Sequence, residues 1–200
     1  MLISIPQVLA FILVTNITPG PNNISSAQTG LSIGYKQSLP YLFGIISGVF
    51  CLLLFGAFAS SFVLTIFPSI EKVLCIAGAL YILYLAWKTF RSDYSFNEKN
   101  ITKPLNFING IFLQIMNPKA IVYCLTLYST VLAGLHGHIN YLFISAIFSV
   151  AVTFLSVSIW ALGGSIIRNL MRNKKIKRVV NLVLSLLLVL TAMQLVFSVF

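Results

Sequence analysis

The sequence predicts an all-α polytopic membrane protein: six transmembrane helices in two inverted three-helix repeats, with the first helix of each repeat broken. Three observations lead there. Hydrophobic residues make up 58% of the 200 and charged residues 8%, and the apolar residues fall in long unbroken runs of the length a bilayer-crossing helix needs. Two of those runs are interrupted by proline at corresponding places. The Lys and Arg residues gather in alternate connections, as in a chain that crosses a membrane repeatedly. Because the runs are continuous rather than alternating, a β-barrel is excluded.

The first segment runs from about Leu2 to Ile33, inside a charge-free stretch from Met1 to Tyr35. One straight helix over that stretch would be about 50 Å long, against a hydrocarbon core of about 30 Å. Thr18-Pro19-Gly20-Pro21-Asn22-Asn23 divides it, since Pro21 has no amide proton and both rings crowd the preceding turn. Asn22, Asn23, Ser25, Ser26, Gln28, Thr29 and Ser32 follow. Backbone breaks and polar groups at membrane depth are tolerated where they are buried in protein or line a wet cavity. A polar cavity with this break in its wall is therefore expected.

The second segment, Leu39 to Phe67, carries Gly44, Gly48 and Gly56, a stripe that lets helices approach closely. The third spans Val73 to Phe90. The fourth, Leu105 to Ala133, contains Asn117-Pro118-Lys119. Asn as N-cap and Pro at the first helical position start a new helix, so this segment reads as two half-helices meeting near mid-membrane. The fifth, Tyr141 to Ile167, holds Ser145, Ser149, Thr153 and Ser156, read as a small-residue packing stripe, and Gly163-Gly164, read as loosening the helix end. The sixth runs from Val179 to Phe200.

Pro19 and Pro118 are 99 residues apart, and the turns Gly34-Tyr35-Lys36 and Gly134-Leu135-His136 are 100 apart. One transmembrane domain, 1–200, thus divides into repeats of about 1–104 and 105–200. Three spans per half force opposite orientations, and interrupted helices at matching positions of inverted repeats point to a secondary transporter.

The net charge of +10 does not signal nucleic acid, because the basic residues lie in short runs between apolar segments. Lys36 falls in the first connection, Lys88, Arg91, Lys99 and Lys103 in or beside the third, and Arg168, Arg172, Lys174, Lys175, Lys177 and Arg178 in the fifth. The second has Lys72 and the fourth none. This places the odd connections in the cytoplasm and both termini outside. Tyr35, Tyr41, Trp87, Tyr94, Tyr141 and Trp160 read as interfacial anchors. No basic leader or cleavage site precedes the first segment, so it is retained as a span. Cys51, Cys75 and Cys124 show no CxxC spacing, and His136 and His138 have no acidic or thiol neighbour, so no metal, cofactor or redox pair is expected. Glu71, Asp93 and Glu98 all fall in connections, which leaves acid–base catalysis without a group in the membrane.

Lys119 is the one cation well inside a segment. A central lysine costs roughly 2.5–3.5 kcal/mol on insertion scales, and at a half-helix start it opposes the positive end of the dipole. A bound carboxylate, held by the amine and by free amides at the half-helix starts, relieves both. The alternative is a shallower break from which Lys119 snorkels to the interface. Asn22, Ser26 and Thr29 share a helix face, either lining the cavity or bonding between helices. The candidate substrate-binding set is Lys119, Asn117, Pro118, Pro19, Gly20, Pro21, Asn22, Asn23 and Ser26.

Thr18-Pro-Gly-Pro-Asn-Asn23, Gly78-Ala-Leu-Tyr-Ile-Leu-Tyr-Leu-Ala-Trp-Lys88 and Gln114-Ile-Met-Asn-Pro-Lys119 resemble, in order and spacing, the LysE/RhtB amino-acid exporters. Pro21-Asn-Asn-Ile24 and Trp160-Ala-Leu-Gly-Gly164 look closest to the branch exporting cysteine and O-acetylserine. The resemblance implies efflux of amino acids or derivatives from the bacterial cytoplasm across the inner membrane. It also implies that Pro19, Gly20, Pro21, Asn22, Asn117, Pro118 and Lys119 are motif positions. Many members carry an acid after the GxxxG of the second helix; here Gly44-Ile-Ile-Ser-Gly48 is followed by Val49-Phe50, which leaves a coupling ion, proton or sodium, open along with a homo-oligomer.

The expected function is alternating-access export of a small neutral amino acid. With no membrane acid available, carbonyls freed at the breaks are expected to hold its ammonium group. A membrane redox or metal-handling protein and a passive pore are the alternative readings.

Overall fold

The computed structural model describes residues 5–66, 70–91, 105–135, 138–168, 170 and 173–197, and of residues 59–66, 70–75, 78, 130, 133 and 195 it describes the backbone alone. Every regular element among them is helical. In order they are α1 (Ile5–Ile17), α2 (Pro21–Ile33), α3 (Tyr35–Ile66), α4 (Ile70–Phe90), α5 (Phe107–Ile115), α6 (Pro118–Thr126), α7 (Ile139–Ile167) and α8 (Lys174–Phe197). A π turn (Leu127–Val131) and a 3-10 turn (Ala133–Leu135) follow α6. Residues 92–104, His136 and the side chains of Lys72 and Cys75 lie outside the described residues, and with them Tyr94, Asp93, Glu98, Lys99 and Lys103 of the third connection.

Both expected interruptions are present. α1 stops at Ile17, Gly20 caps α2 in extended conformation, and Pro21 occupies its first turn. α5 starts on a reciprocal Asn106–Asn109 capping box. It ends at Ile115, and Asn117 caps α6 with its side chain accepting from the Ala120 amide. Helices α5 and α6 meet at 64°. Tyr35–Phe58, Ile139–Ile167 and Lys174–Gln194 are each long and apolar enough to cross a membrane, and the α5–α6 pair makes a fourth span when taken together. Phe58, Leu80, Leu155, Ile166 and Phe197 point out of the bundle, each more than 60% exposed, a surface suited to lipid rather than water.

Gly34, at φ +83°, ends α2 and bonds its amide to Gly30 O, a conformation glycine adopts without a Cβ penalty. One residue therefore joins α2 to α3. The sixth helix begins five residues before the expected Val179, because Asn173 accepts the Lys175 amide at 2.9 Å and caps it. Lys174, Lys175, Lys177 and Arg178 thus belong to the helix, not to the connection.

α2 packs most extensively on α7, α3 on α5, and α4 on α8. Glycine makes the first two crossings close. A Cβ at Gly30 would lie 2.0 Å from Ala161 O, one at Gly164 2.0 Å from Ala27 O, and one at Gly44 2.0 Å from Phe107 O. Gly164 is thus a packing glycine and not the loosened helix end expected of it, whereas Gly163 faces open space. Tyr41, expected at the interface, is 2% exposed and shares a hydrogen bond with Ser25. Since α3 starts at Tyr35, Tyr41 falls two turns inside the helix.

Two apolar cores result. One joins α3, α6 and α7 around Leu42, Ile45, Leu53, Tyr128 and Val157, with Ile12 from α1. The other joins α4 and α8 around Ile82, Leu184 and Leu188, with Ile24 from α2 and Val122 from α6. The broken helices contribute to both, so their interruptions sit between the cores.

Candidate functional site

A helix that stops in an apolar interior leaves its last carbonyls without amide partners, and here side chains from four other helices supply them. Asn23 turns back from α2 and donates to Asn16 O (2.9 Å), Thr18 O (3.1 Å) and Ile17 O (3.4 Å). Ser156 of α7 donates to Asn16 O at 2.9 Å and to Asn23 Oδ1 at 3.2 Å. Thr191 of α8 donates to Pro19 O. Lys119 Nζ reaches Thr18 O at 2.9 Å and Pro19 O at 3.3 Å.

This arrangement corrects two expectations. Lys119 neither snorkels outward nor sits without compensation beside its own helix start. Its stem carries the ammonium to the C-terminal end of α1, where the dipole favours a cation. Gly20 makes room for that stem, since a Cβ there would lie 3.0 Å from Lys119 Cδ and 3.2 Å from Nζ. The carbonyls freed at the break, which were expected to receive a substrate ammonium, are already engaged by Lys119, Asn23, Ser156 and Thr191.

The two breaks are joined through one amide. Asn22 Oδ1 accepts from Gln114 Nε2 and from Asn117 Nδ2, each at 2.7 Å, and Asn22 Nδ2 returns to Gln114 Oε1 at 3.4 Å. Gln114 and Asn117 are buried, so these bonds replace the water that polar side chains need. On the far side Thr153 donates to Asn16 Oδ1 at 2.6 Å and Tyr123 to Ser149 at 3.0 Å. Ser149, Thr153 and Ser156 of the α7 stripe are buried where α7 packs, as their spacing suggested, and they also hydrogen-bond to the groups around the break.

Between these groups lies a cavity of about 40 Å³, on the scale of a few waters. Gly20, Pro21, Asn22, Asn23, Asn117 and Lys119 line it, with Thr15, Asn16, Thr18, Val49, Ala120, Tyr123 and Thr153. The predicted residues Pro19 and Pro118 act through backbone: the first presents its carbonyl, the second starts α6 and so aims Lys119. Ser26 does not line the cavity. It is fully buried and donates back to Asn22 O at 2.7 Å, as Thr29 does to Ser25 O, so this face of α2 bonds within its own helix. Asn16, Gln114, Tyr123 and Thr153 had not been singled out as site residues. The signal for Asn16 and Gln114 was present, since each is an amide within four residues of a break in an apolar run.

Two larger cavities flank the small one. One of about 360 Å³ lies among α1, α6 and α8 and shares Thr15, Thr18, Lys119 and Tyr123 with it. The other, of about 210 Å³, lies among α2, α4, α5 and α8, with Gln28, Lys88 and Thr89 in its wall, and meets the small cavity at Pro21. Lys119 and Pro21 thus each border the central cavity and one of its two larger neighbours.

A family model described as LysE type translocator matches residues 13–199. The chain is 35% identical over 185 residues to a cysteine/O-acetylserine efflux protein of Escherichia coli O1:K1. It is 34% identical over 185 residues to proteins of that name in Salmonella typhi and Salmonella typhimurium. Each of these alignments covers 92% of this chain and 93% of the relative. No solved structure matches the chain.

Proposed function

Because the chain belongs to the LysE type translocator family, we propose that it exports a small neutral amino acid or derivative across the bacterial inner membrane. The substrate class is of the cysteine/O-acetylserine or homoserine/threonine type, the first being that for which its relatives are named. It is a translocator and not an enzyme.

The observation that carries this reading is Lys119 held where two helix breaks meet in a polar cavity. Lys119 and the first-turn amides of α2 receive the substrate carboxylate; Asn22, Asn23 and Asn117 shape the pocket around it.

The layout proposed is six spans in two inverted halves: α1–α2, α3 and α4, then α5–α6, α7 and α8. Its support is exchanged packing. The broken span of each half lies on the second helix of the other, α2 on α7 and α5 on α3, while α4 and α8 pack together. The flanking cavities support it too. The larger is walled by residues that precede the first break and follow the second, the smaller by residues between the two breaks together with Leu188 of α8.

With the odd connections in the cytoplasm and both termini outside, the 210 Å³ chamber faces inward and the 360 Å³ chamber outward. A substrate carboxylate arriving at the break accepts the third N–H of Lys119 and weakens, without breaking, its bonds to Thr18 O and Pro19 O. That loosens the tie between α1 and α6 and permits the alternation. A proton or sodium ion as coupling ion, and a homo-oligomer, belong to the reading on family grounds.

Counterflow tests it. Vesicles containing the protein and preloaded with O-acetylserine should take up labelled cysteine or O-acetylserine faster than empty ones. Absence of trans-stimulation across a panel of neutral amino acids would replace the carrier with a passive pore.

A further inference from the structure

We infer that the site selects ligands by their carboxylate and is indifferent to an α-ammonium group, so that short hydroxy-carboxylates are carried alongside amino acids. The inference rests on the efflux reading above and narrows its substrate class.

It follows from an inventory of donors and acceptors at the break. A carbonyl oxygen has two lone pairs. Thr18 O accepts from Lys119 and Asn23, Pro19 O from Lys119 and Thr191, and Asn16 O from Asn23 and Ser156. Asn22 Oδ1 accepts from Gln114 and Asn117. Thr18 O and Asn22 Oδ1 are filled from within the protein, while Pro19 O and Asn16 O each share one hydroxyl proton with a second acceptor, Leu187 O for Thr191 and Asn23 Oδ1 for Ser156. Where a carboxylate would offset a ligand cation, the wall presents Val49, and among the described residues no Asp or Glu lines the cavity.

Donors, by contrast, are left over. An ammonium has three N–H groups, and Lys119 spends two on Thr18 and Pro19. Helix α2 begins on Gly20 without a side-chain cap, so the first-turn amides of Asn22 and Asn23 have no intrahelical acceptor. A site with spare donors, mostly engaged acceptors and a resident cation suits an anion. A second ammonium brought close to Lys119 meets a like charge, and the acceptors left to it in the wall are the neutral hydroxyls of Thr15, Thr18, Tyr123 and Thr153 and the Asn23 amide oxygen. The α-amino group of a bound amino acid therefore points away from Lys119 and contributes little to selection.

The test uses proteoliposomes exchanging labelled O-acetyl-L-serine against three competitors. L-Serine has both groups, glycerate replaces its amine with a hydroxyl, and L-serinamide keeps the amine but lacks the carboxylate. Glycerate should compete within about threefold of serine, and serinamide should be weaker by about tenfold or more, the loss expected when a charge-assisted bond is removed. Exchange of O-acetylserine with serinamide competing and glycerate inert would overturn the inference and leave the efflux reading intact. If neither O-acetylserine nor any neutral amino acid of the panel is exchanged, the efflux reading fails. Thermal unfolding of the purified protein then decides the inference separately: stabilisation by glycerate and not by serinamide supports it, and any other ranking sinks it.

Discussion

The Lys119 ammonium lies 2.9 Å from the carbonyl oxygen of Thr18, 101 residues earlier in the chain. One bond therefore ties the end of the first half-helix to the start of the last. It satisfies a buried cation and an orphaned helix terminus together, and it borders both the central cavity and the larger chamber.

Removing that amine should stop transport before it stops folding. Lys119→Ala loses the charge-assisted bonds to Thr18 O and Pro19 O and the proposed carboxylate contact, together worth about ten- to a hundredfold in export rate. Export assays beside membrane quantification check it. Normal export by a variant present at normal level would remove Lys119 from the site.

Asn22 should behave as the centre of a network. Asn22→Ala leaves the buried amide donors of Gln114 and Asn117 without their acceptor, at a cost of about 1–3 kcal/mol. Once it is made, adding Asn117→Ala should cost much less than Asn117→Ala alone, because the shared bond is already gone. A double-mutant cycle from thermal unfolding in detergent reads the coupling, and additivity would show that the two breaks are energetically separate.

Neighbouring glycines should differ sharply. Gly164→Ala places a methyl 2.0 Å from Ala27 O on the α2–α7 crossing, so the helices must separate, at about 1–3 kcal/mol. Gly163→Ala meets nothing within 4 Å and gains helix propensity of up to about 1 kcal/mol. Equal effects of the two on the unfolding midpoint would contradict the crossing.

Orientation is testable without transport. With the native cysteines replaced, His136→Cys should react with an impermeant thiol reagent from outside intact cells. Lys174→Cys should react only after the membrane is opened. The reverse pattern would exchange the inward and outward chambers assigned above.

The polarity of each apolar run, the two proline interruptions and the charge asymmetry of the connections were legible in the sequence, because each follows from local chemistry that no tertiary contact overrides. Pro at a first helical position after Gly or Asn starts a new helix, and α2 and α6 begin at Pro21 and Pro118 as the residues say, whereas Pro40, with no such cap before it, is carried inside α3. Lys119 was legible as anomalous for the same reason.

What occupies each polar group was not legible, since a hydrogen bond is a property of two positions. Ser26 and Asn22 share a spacing on α2, yet one bonds back to its own helix and the other joins both breaks. Gly163 and Gly164 are identical neighbours, and only the direction of each missing Cβ separates a close crossing from open space. The sequence by itself determined that two broken helices and a lysine stand in the membrane. Only the tertiary structure decided that the lysine closes the first break with its own charge, because that bond exists only once two distant segments are brought within 3 Å.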